Sequence, residues 1–200
     1  LTDLSSNLNK NCELQFMDAK SKDGHSVLLH STAHLMAQAV KRLFPKTKVT
    51  IGPFLENRFY YDFDVNSPFT EDDLLEIENE MMKISEENLE ISHQEKSRNE
   101  ALAFFEKIDE SYKVEIINDL DKDETLKVYS QGEFTDLCRG PHVHSTGQIK
   151  HFKILSSSAA YWRGDEKNQT LQRVYGTSFQ NSKDLKKYLQ MLEDQKKRDH

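Results

Sequence analysis

The amino-acid sequence predicts an α+β fold in which antiparallel sheets pack against helices. Segments with helical and strand-like patterns follow one another as a helix, a hairpin, two helices and a strand meander. Regular alternation of strand and helix, the mark of parallel sheets, is missing from this order. Apolar residues make up 36% of the chain and charged residues 30%, a balance typical of a folded domain. The length of 200 residues suits one large domain with an appendage.

The first predicted helix is followed by a predicted β-hairpin. Apolar residues recur at helical spacing from Leu29 to Leu43, and Pro45 should end the helix. The strand-like segments KVTIGPF and RFYYDFDV then flank a turn at Glu56 and Asn57, and the second alternates between apolar and polar positions. We therefore expect this hairpin to pack its apolar face against the helix.

The rest of the chain predicts two further helices, a group of strands and a last helix. Thr70 opens an acidic helix with one apolar face, and Ser97 with Glu100 forms a capping box that should start the next helix. Residues 112–155 contain four strand-like segments, YKVEII, TLKVYS, EFTDL and IKHFKIL. Residues 181–200 form a strongly charged helical pattern.

The two ends of the chain suggest a part of a longer, cytoplasmic protein. Residues 1–24 carry one strand-like segment, CELQFM, and then the breaker KSKDG, so we expect them to end a preceding domain. A signal-peptide pattern is missing, and the apolar runs are far shorter than the roughly 18 residues that a membrane span needs. Two cysteines, Cys12 and Cys138, do not make a disulfide framework, which favours a reducing compartment.

The charge of the chain is unevenly distributed. The formal net charge is −7, yet residues 71–90 hold nine acidic residues and one lysine, so the remainder carries about +1. Basic residues are frequent between Arg139 and Arg173. The net charge alone does not suggest a nucleic-acid partner, but its distribution is compatible with one.

Two short motifs contain candidate catalytic or metal-binding residues. His30 and His34 lie one helical turn apart beside the apolar stripe, although such pairs also occur by chance on solvated faces. Cys138 and His142 are also four residues apart, but Gly140 and Pro141 between them rule out a regular helix. Together the four side chains could bind zinc in a tetrahedral site, or form a pocket in which a histidine activates water.

Three further features have both a structural and a functional interpretation. Lys113 lies in the strand-like YKVEII, either as an edge residue whose ammonium reaches solvent or as a cation within a pocket. Tyr61 has a similar ambiguity between a core and a pocket residue, and the aromatic core is the simpler interpretation. The aromatic and basic run from Ala159 to Thr177 could stack on the end of an RNA, or simply form a strand–loop–strand with core aromatics.

Four blocks of this sequence resemble the editing domain of bacterial-type threonyl-tRNA synthetases. They are HSTAHLMAQAVKRLFP, IGPFLENRFYYDFD, YSQGEFTDLCRGPHV and AAYWRGDEKNQTLQRVYGTSF, in the order that the family has them. The resemblance implies that residues 1–24 end a small β-rich domain, that 25–180 are the editing domain, and that 181–200 connect towards a catalytic domain. His144 and the segment SSSAAYW depart from the family pattern outside the motif residues.

The resemblance also implies an activity and a set of site residues. The activity is hydrolysis of serine wrongly attached to threonine tRNA, by water activated in a pocket that threonine is too large to use. The catalytic residues implied are His30, His34, Lys113, Cys138 and His142. The residues implied to bind substrate are Tyr61, Asp136 and Arg139.

The implied cofactors and partners follow from the same resemblance. Editing domains of the alanyl type hold zinc at the positions of the four motif residues, whereas the threonyl type works without metal, so we expect no metal here. ATP, magnesium and zinc are expected in the catalytic domain of a longer enzyme. The partner is the acceptor end of threonine tRNA carrying serine. We expect this part to be a monomer and the whole enzyme a homodimer. A zinc-dependent deacylase and a non-catalytic tRNA-binding module are the alternatives.

Overall fold

The computed structural model describes residues 1–198, which form five α-helices and seven β-strands. The helices are α1 (Lys22–Leu43), α2 (Glu71–Glu87), α3 (Arg98–Lys107), α4 (Ser111–Asp119) and α5 (Ser182–Arg198). The strands are β1 (Lys48–Val49), β2 (Phe59–Asp64), β3 (Ile91–Lys96), β4 (Leu126–Gln131), β5 (Phe134–Leu137), β6 (His151–Tyr161) and β7 (Thr170–Phe179).

The strands form two antiparallel sheets, which confirms the predicted α+β class. The larger sheet has the order β1-β2-β7-β6, and the smaller has the order β3-β4-β5. The long hairpin of β6 and β7 spans the aromatic and basic run, so this run is the predicted strand–loop–strand. Trp162 in its loop is buried with Tyr112 and Leu171, whereas Tyr161 is half exposed.

Helix α1 supplies the centre of the main core. Its N-terminus is capped by the Ser21 side chain, which accepts a hydrogen bond from the Gly24 N–H at 3.1 Å, and it ends two residues before Pro45 as predicted. The apolar stripe from Leu29 to Val40 is buried with β2, β7 and α2. This packing draws the histidines of α1 towards the interior.

The predicted caps of α2 and α3 are confirmed. Thr70 and Asp73 form a complete capping box at α2, and Ser97 and Glu100 form another at α3. One face of α2 is buried through Ile77, Met81 and Ile84. Between these positions, Glu78 and Glu80 are partly buried and form ion pairs with Lys153 and Arg42, respectively.

The prediction of a strand over YKVEII was wrong, because this segment lies within α4. Val114 is partly buried against the core cluster of Ile117, and Ile116 against that of Tyr112. The alternation of apolar residues at 112, 114 and 116 resembles a strand. Lys113 and Ile117, which are one helical turn apart, are both buried. Packing of α4 against α3 therefore selects the helix over a local strand preference.

The ends of the chain differ in part from the expectation. Residues 12–17 contain no strand and are exposed, so the prediction of a strand at CELQFM was wrong. Helix α5 confirms the predicted charged helix, and none of its residues is buried; residues 199 and 200 of that prediction lie outside the described residues. Within residues 1–198, each helix is too short or too polar to span a bilayer.

Candidate functional site

Helix α1 places His30 and His34 one turn apart on its inner face. Their ring centroids are 5.2 Å apart and the rings are nearly perpendicular. His34 is buried, with 4% of its surface exposed, and His30 is half-buried at the edge of the core. The helix therefore presents a pair of imidazoles to the loop that follows β5.

The loop after β5 turns back on itself and brings Cys138 next to His142. Gly140 has φ +68°, and a Cβ at this position would overlap the Tyr129 hydroxyl, so glycine is required here for two reasons. The turn leaves Cys138 Sγ 3.3 Å from His142 Nε2. The backbone N–H of His142 donates to Asp3 Oδ1 at 2.8 Å, which ties the N-terminal segment to the loop.

The helix pair and the loop pair meet in one cluster, which we call the His–Cys cluster (His30, His34, Cys138 and His142). The nearest nitrogen and sulfur atoms of the four side chains all lie within 4.8 Å of one another. Cys138 Sγ is 3.3 Å from His30 Nε2. The ring of His142 lies 4.5 Å from that of His30 and 4.3 Å from that of His34 between centroids. The structure thus brings together all four residues of the two motifs.

A buried ionic network adjoins the cluster through His34. Lys113 Nζ lies 2.6 Å from Asp136 Oδ1, and the Tyr61 hydroxyl donates to Asp136 Oδ2 at 2.6 Å. Asp136 Oδ2 is also 3.5 Å from His34 Nε2. Each of these side chains is at most 5% exposed. Breaking such a pair would leave a buried charge without compensation.

Lys113 reaches this network from α4, although the sequence placed it on a strand. Its ammonium donates to the Thr50 carbonyl and to the Tyr61 hydroxyl, the latter at 3.1 Å. Gly52 lets the backbone lie on the Tyr61 ring, since a Cβ there would overlap the ring. With only 2% of its surface exposed, Lys113 is a buried cation and not an edge residue that reaches solvent; its role in a pocket stays a prediction.

Burial keeps the imidazoles of the cluster neutral at pH 7. Desolvation lowers the pKa of His34 and His142 well below the ordinary value, and the neighbouring histidines lower it further. Desolvation also lowers the pKa of His30, although the Asp136 carboxylate partly opposes this. A neutral imidazole has one nitrogen that can accept a proton and one that donates a hydrogen bond.

Burial also keeps Cys138 and Tyr61 protonated. Desolvation raises the pKa of Cys138 to about 12, so very little thiolate is present at neutral pH. Desolvation and the Asp136 carboxylate raise the pKa of Tyr61 well above its usual value. Without a metal, Cys138 is therefore a weak hydrogen-bond donor and a poor nucleophile.

We expect the fold to lose stability as the pH falls from 7 to 5. The unfolded chain has histidines with a pKa of about 6.5, whereas His34 and His142 resist protonation in the folded state. Below about pH 6.5 the unfolded state binds more protons than the folded state, so the free energy of unfolding decreases as the pH decreases. Urea unfolding at several pH values measures this slope. His34→Gln should reduce the slope of stability against pH, whereas His144→Gln, at an exposed position, should leave it unchanged. Equal slopes in the two variants would contradict the assignment of the slope to the buried histidines.

The cluster also has the ligand types of a zinc site and, around Cys138, the spacing of one. Zinc–sulfur and zinc–nitrogen bonds of about 2.3 and 2.0 Å in a tetrahedron place neighbouring ligand atoms roughly 3.3–3.7 Å apart. The two distances from Cys138 Sγ to His30 and His142 are both 3.3 Å. His34 and His142 each have a further polar partner, Asp136 and Ser31, as metal-binding histidines usually do. Metal binding would require loss of the Cys138 proton.

The structure does not bring Arg139 into the cluster. Its side chain is largely exposed and forms an ion pair with Glu124, with Nε 2.9 Å from Oε1. Arg173 forms a bidentate pair with Asp62, at 2.7 and 2.8 Å, and lies over the Tyr60 ring. A role of Arg139 in binding substrate stays a prediction.

Sequence reasoning missed three groups that hold the site. Ser31, between the two histidines of α1, contacts His142, and its place inside the HxxxH motif was the available signal. The Thr50 carbonyl accepts a hydrogen bond from Lys113, and the Asp3 carboxylate accepts one from the backbone of His142. Both acceptors are far from their donors in sequence. Only tertiary structure could reveal them.

The chain is similar to known proteins along its whole length. Residues 126–175 match the family "Threonyl and Alanyl tRNA synthetase second additional domain", which covers β4, β5, the Cys138–His142 loop and β6. Over all 200 residues the chain is 53% identical to the threonine–tRNA ligase of Symbiobacterium thermophilum. It is 54% identical to those of Pelobacter propionicus, over 200 residues, and Maridesulfovibrio salexigens, over a 201-residue alignment. This chain is a relative of the threonine–tRNA ligases.

The match to threonine–tRNA ligases extends along the whole chain but covers only part of each ligase. All residues of the chain are aligned in these three comparisons, and the chain spans 31% of each relative's length. The resemblance inferred from the four sequence blocks is therefore confirmed. The region shared with the ligases contains both motifs and the ionic network.

Proposed function

We propose that the chain forms an editing domain that hydrolyses the ester between serine and threonine tRNA. The observation that carries this proposal is the buried His–Cys cluster next to the Lys113–Asp136 pair. Neutral imidazoles can take a proton from water, and a nearby cation can stabilise the charge that develops on the ester oxygen. The kinship with threonine–tRNA ligases supplies the substrate class.

In the proposed reaction, a water molecule held near His30 and Lys113 attacks the carbonyl carbon of the ester. An imidazole accepts the proton of the water as the new carbon–oxygen bond forms. The bond to the ribose oxygen then breaks, and His142 assists transfer of a proton to that oxygen. Lys113 would reach the water by giving up its contact with the Tyr61 hydroxyl, which at 3.1 Å is longer than its 2.6 Å ion pair.

The remaining site residues would bind and shape the substrate. Asp136 and Tyr61 would hold the seryl ammonium group and the terminal adenosine, while Cys138 and His34 form the floor. Attack by Cys138 itself is disfavoured, because burial raises the pKa of its thiol to about 12 and the thiolate is the nucleophile. An aminoacyl ester needs only a positioned water.

The need for such a site follows from the small difference between serine and threonine. Serine lacks one methyl group, and a missing methyl contact provides only about 1–3 kcal/mol of discrimination, roughly 10–200-fold. A second and smaller pocket that accepts only the serine ester can remove the errors that the first site makes. Threonine would be excluded because its methyl group clashes with the pocket or displaces the water.

The alternative mechanism uses zinc held by the four residues of the His–Cys cluster. Bound zinc would lower the pKa of a coordinated water and polarise the ester carbonyl. The distances around Cys138 suit the ion, whereas the buried cation Lys113 nearby opposes additional positive charge. We favour the metal-free pocket, and the metal content of the purified protein distinguishes the two.

Several properties of a longer enzyme belong to this proposal. Residues 1–24, 25–180 and 181–200 would be the end of a small β-rich domain, the editing domain and a connector helix. The whole protein would attach threonine to tRNA in the cytoplasm, as a homodimer that uses ATP, magnesium and zinc in another domain. The part described by the structure would be a monomer.

The proposal is tested by offering the purified protein threonine tRNA charged with serine. Release of free serine at catalytic protein concentration, unaffected by a chelator and without bound metal, supports it. Loss of activity with removal of zinc, and recovery with added zinc, would establish the zinc-dependent alternative. Binding of the tRNA without release of serine would indicate a non-catalytic tRNA-binding module.

A further inference from the structure

Ser31 is a buried hydroxyl at the centre of the site. It lies on α1 between His30 and His34, and none of its surface is exposed. Its oxygen is 3.0 Å from His142 Nδ1 and accepts a hydrogen bond from the Val143 N–H, also at 3.0 Å. These two contacts determine how protons are arranged around His142.

The hydroxyl proton of Ser31 needs an acceptor. Val143 N–H can only donate, so among the two observed partners only His142 Nδ1 can accept. A buried donor without an acceptor costs about 1–3 kcal/mol. The adjacent Thr32 solves the same problem differently, because its hydroxyl donates to the Leu28 carbonyl at 2.7 Å. Ser31 therefore donates to Nδ1, and the proton of the neutral ring lies on Nε2.

The direction of donation continues from His142 through the cluster. His142 Nε2–H points to Cys138 Sγ at 3.3 Å, and the Gly140 N–H donates to the same sulfur at 3.3 Å. With two donors directed at it, the sulfur directs its own S–H to His30 Nε2, also 3.3 Å away. The chain of donors thus runs from Ser31 through His142 and Cys138 to His30.

We propose that Ser31 is a positioning residue that fixes the tautomer of His142 and thereby the direction of this chain. Within the cluster, the N–H of His142 and the bare nitrogen of His30 both face the Cys138 sulfur. If the proposed hydrolysis is correct, the substrate displaces Cys138 Sγ from these two contacts, and His30 Nε2 accepts a proton of the attacking water. His142 passes its Nε2 proton to the leaving ribose oxygen and regains one from the protonated His30. The tautomer itself rests on the geometry alone, and it would have to change before a metal could bind Nε2 of His142.

The tautomer is measured by ¹⁵N NMR of histidine-labelled protein, in which ring nitrogens with and without a proton have distinct shifts. We expect a bare Nδ1 and a protonated Nε2 on His142 in the wild type. In Ser31→Ala, Nδ1 loses its donor, so its resonance should shift and the share of Nδ1-protonated ring should rise. A proton on Nδ1 in the wild type, or ring signals unchanged by Ser31→Ala, would overturn the proposal.

A matched control separates this role from a general effect on packing. Thr32→Val removes a buried hydroxyl one residue away that does not contact the cluster, so it should leave the His142 signals unchanged. In the serine-release assay, Ser31→Ala should lower kcat up to about tenfold, the effect of one lost hydrogen bond, with little change in KM. Thr32→Val should not lower kcat. Failure of the wild type to release serine would contradict the proposed function and leave the NMR result valid. Equal kcat losses in the two variants would contradict a specific role for Ser31.

Discussion

Replacing Lys113 with methionine should abolish serine release and also destabilise the fold. The ammonium is buried and 2.6 Å from the Asp136 carboxylate. Methionine has a similar length without the charge, so Asp136 would stay buried without its counter-ion. Removing one partner of a buried ion pair costs about 3–5 kcal/mol, and loss of a group that stabilises the transition state costs about 10²–10³ in kcat.

A double variant separates the two effects of Lys113→Met. Lys113→Met with Asp136→Asn removes both charges and keeps an amide that can contact Tyr61, so most of the stability should return while hydrolysis stays lost. Urea unfolding and single-turnover serine release measure the two quantities. Lys107→Met, an exposed lysine of α3, is the control for simple charge loss. Wild-type rates in the single variant, or no recovery of stability in the double variant, would refute the role given to the pair.

Replacing His142 with glutamine should reduce serine release by about 10²–10⁴, the usual contribution of a proton-transferring group. Glutamine retains polarity and much of the volume but cannot pass a proton at neutral pH, so the fold should be kept. His142→Ala should lose the same activity and some stability, because the ring packs against Tyr129 and His34.

His144 provides the matched control for His142. It lies two residues further along the same loop and is exposed, so His144→Gln should keep the wild-type rate and the wild-type unfolding temperature. A His142→Gln protein that is folded by circular dichroism and still releases serine at the wild-type rate would show that the chemistry lies elsewhere.

Sequence patterns predicted those parts of the fold whose signal is local. The helix start at Thr70, the capping box at Ser97 and the stop at Pro45 depend on interactions within a few residues, and all three are confirmed. The prediction of a strand at YKVEII was wrong because the apolar residues of so short a segment fit a strand as well as a helix. The buried positions of Lys113 and Ile117 depend on partners in other elements, which a local pattern does not contain.

The same distinction applies to the candidate site. The two four-residue spacings suggested a cluster, since HxxxH on a helix defines one face and Gly140-Pro141 forces a turn. The ionic network around Asp136 depends on contacts between α1, α4, β2 and β5, and no spacing in the sequence predicts it. Family resemblance indicated its members, but their protonation states follow from burial, which only the structure provides.

We propose that this pocket removes serine and spares threonine. The most direct measurement is the rate of release of each amino acid from the same threonine tRNA, charged in separate preparations and offered to the metal-free protein. We predict rapid release of serine and release of threonine slower by roughly 10–200-fold, the range that one methyl group provides. Equal rates of release for the two amino acids, or release of neither, would contradict selective removal of serine.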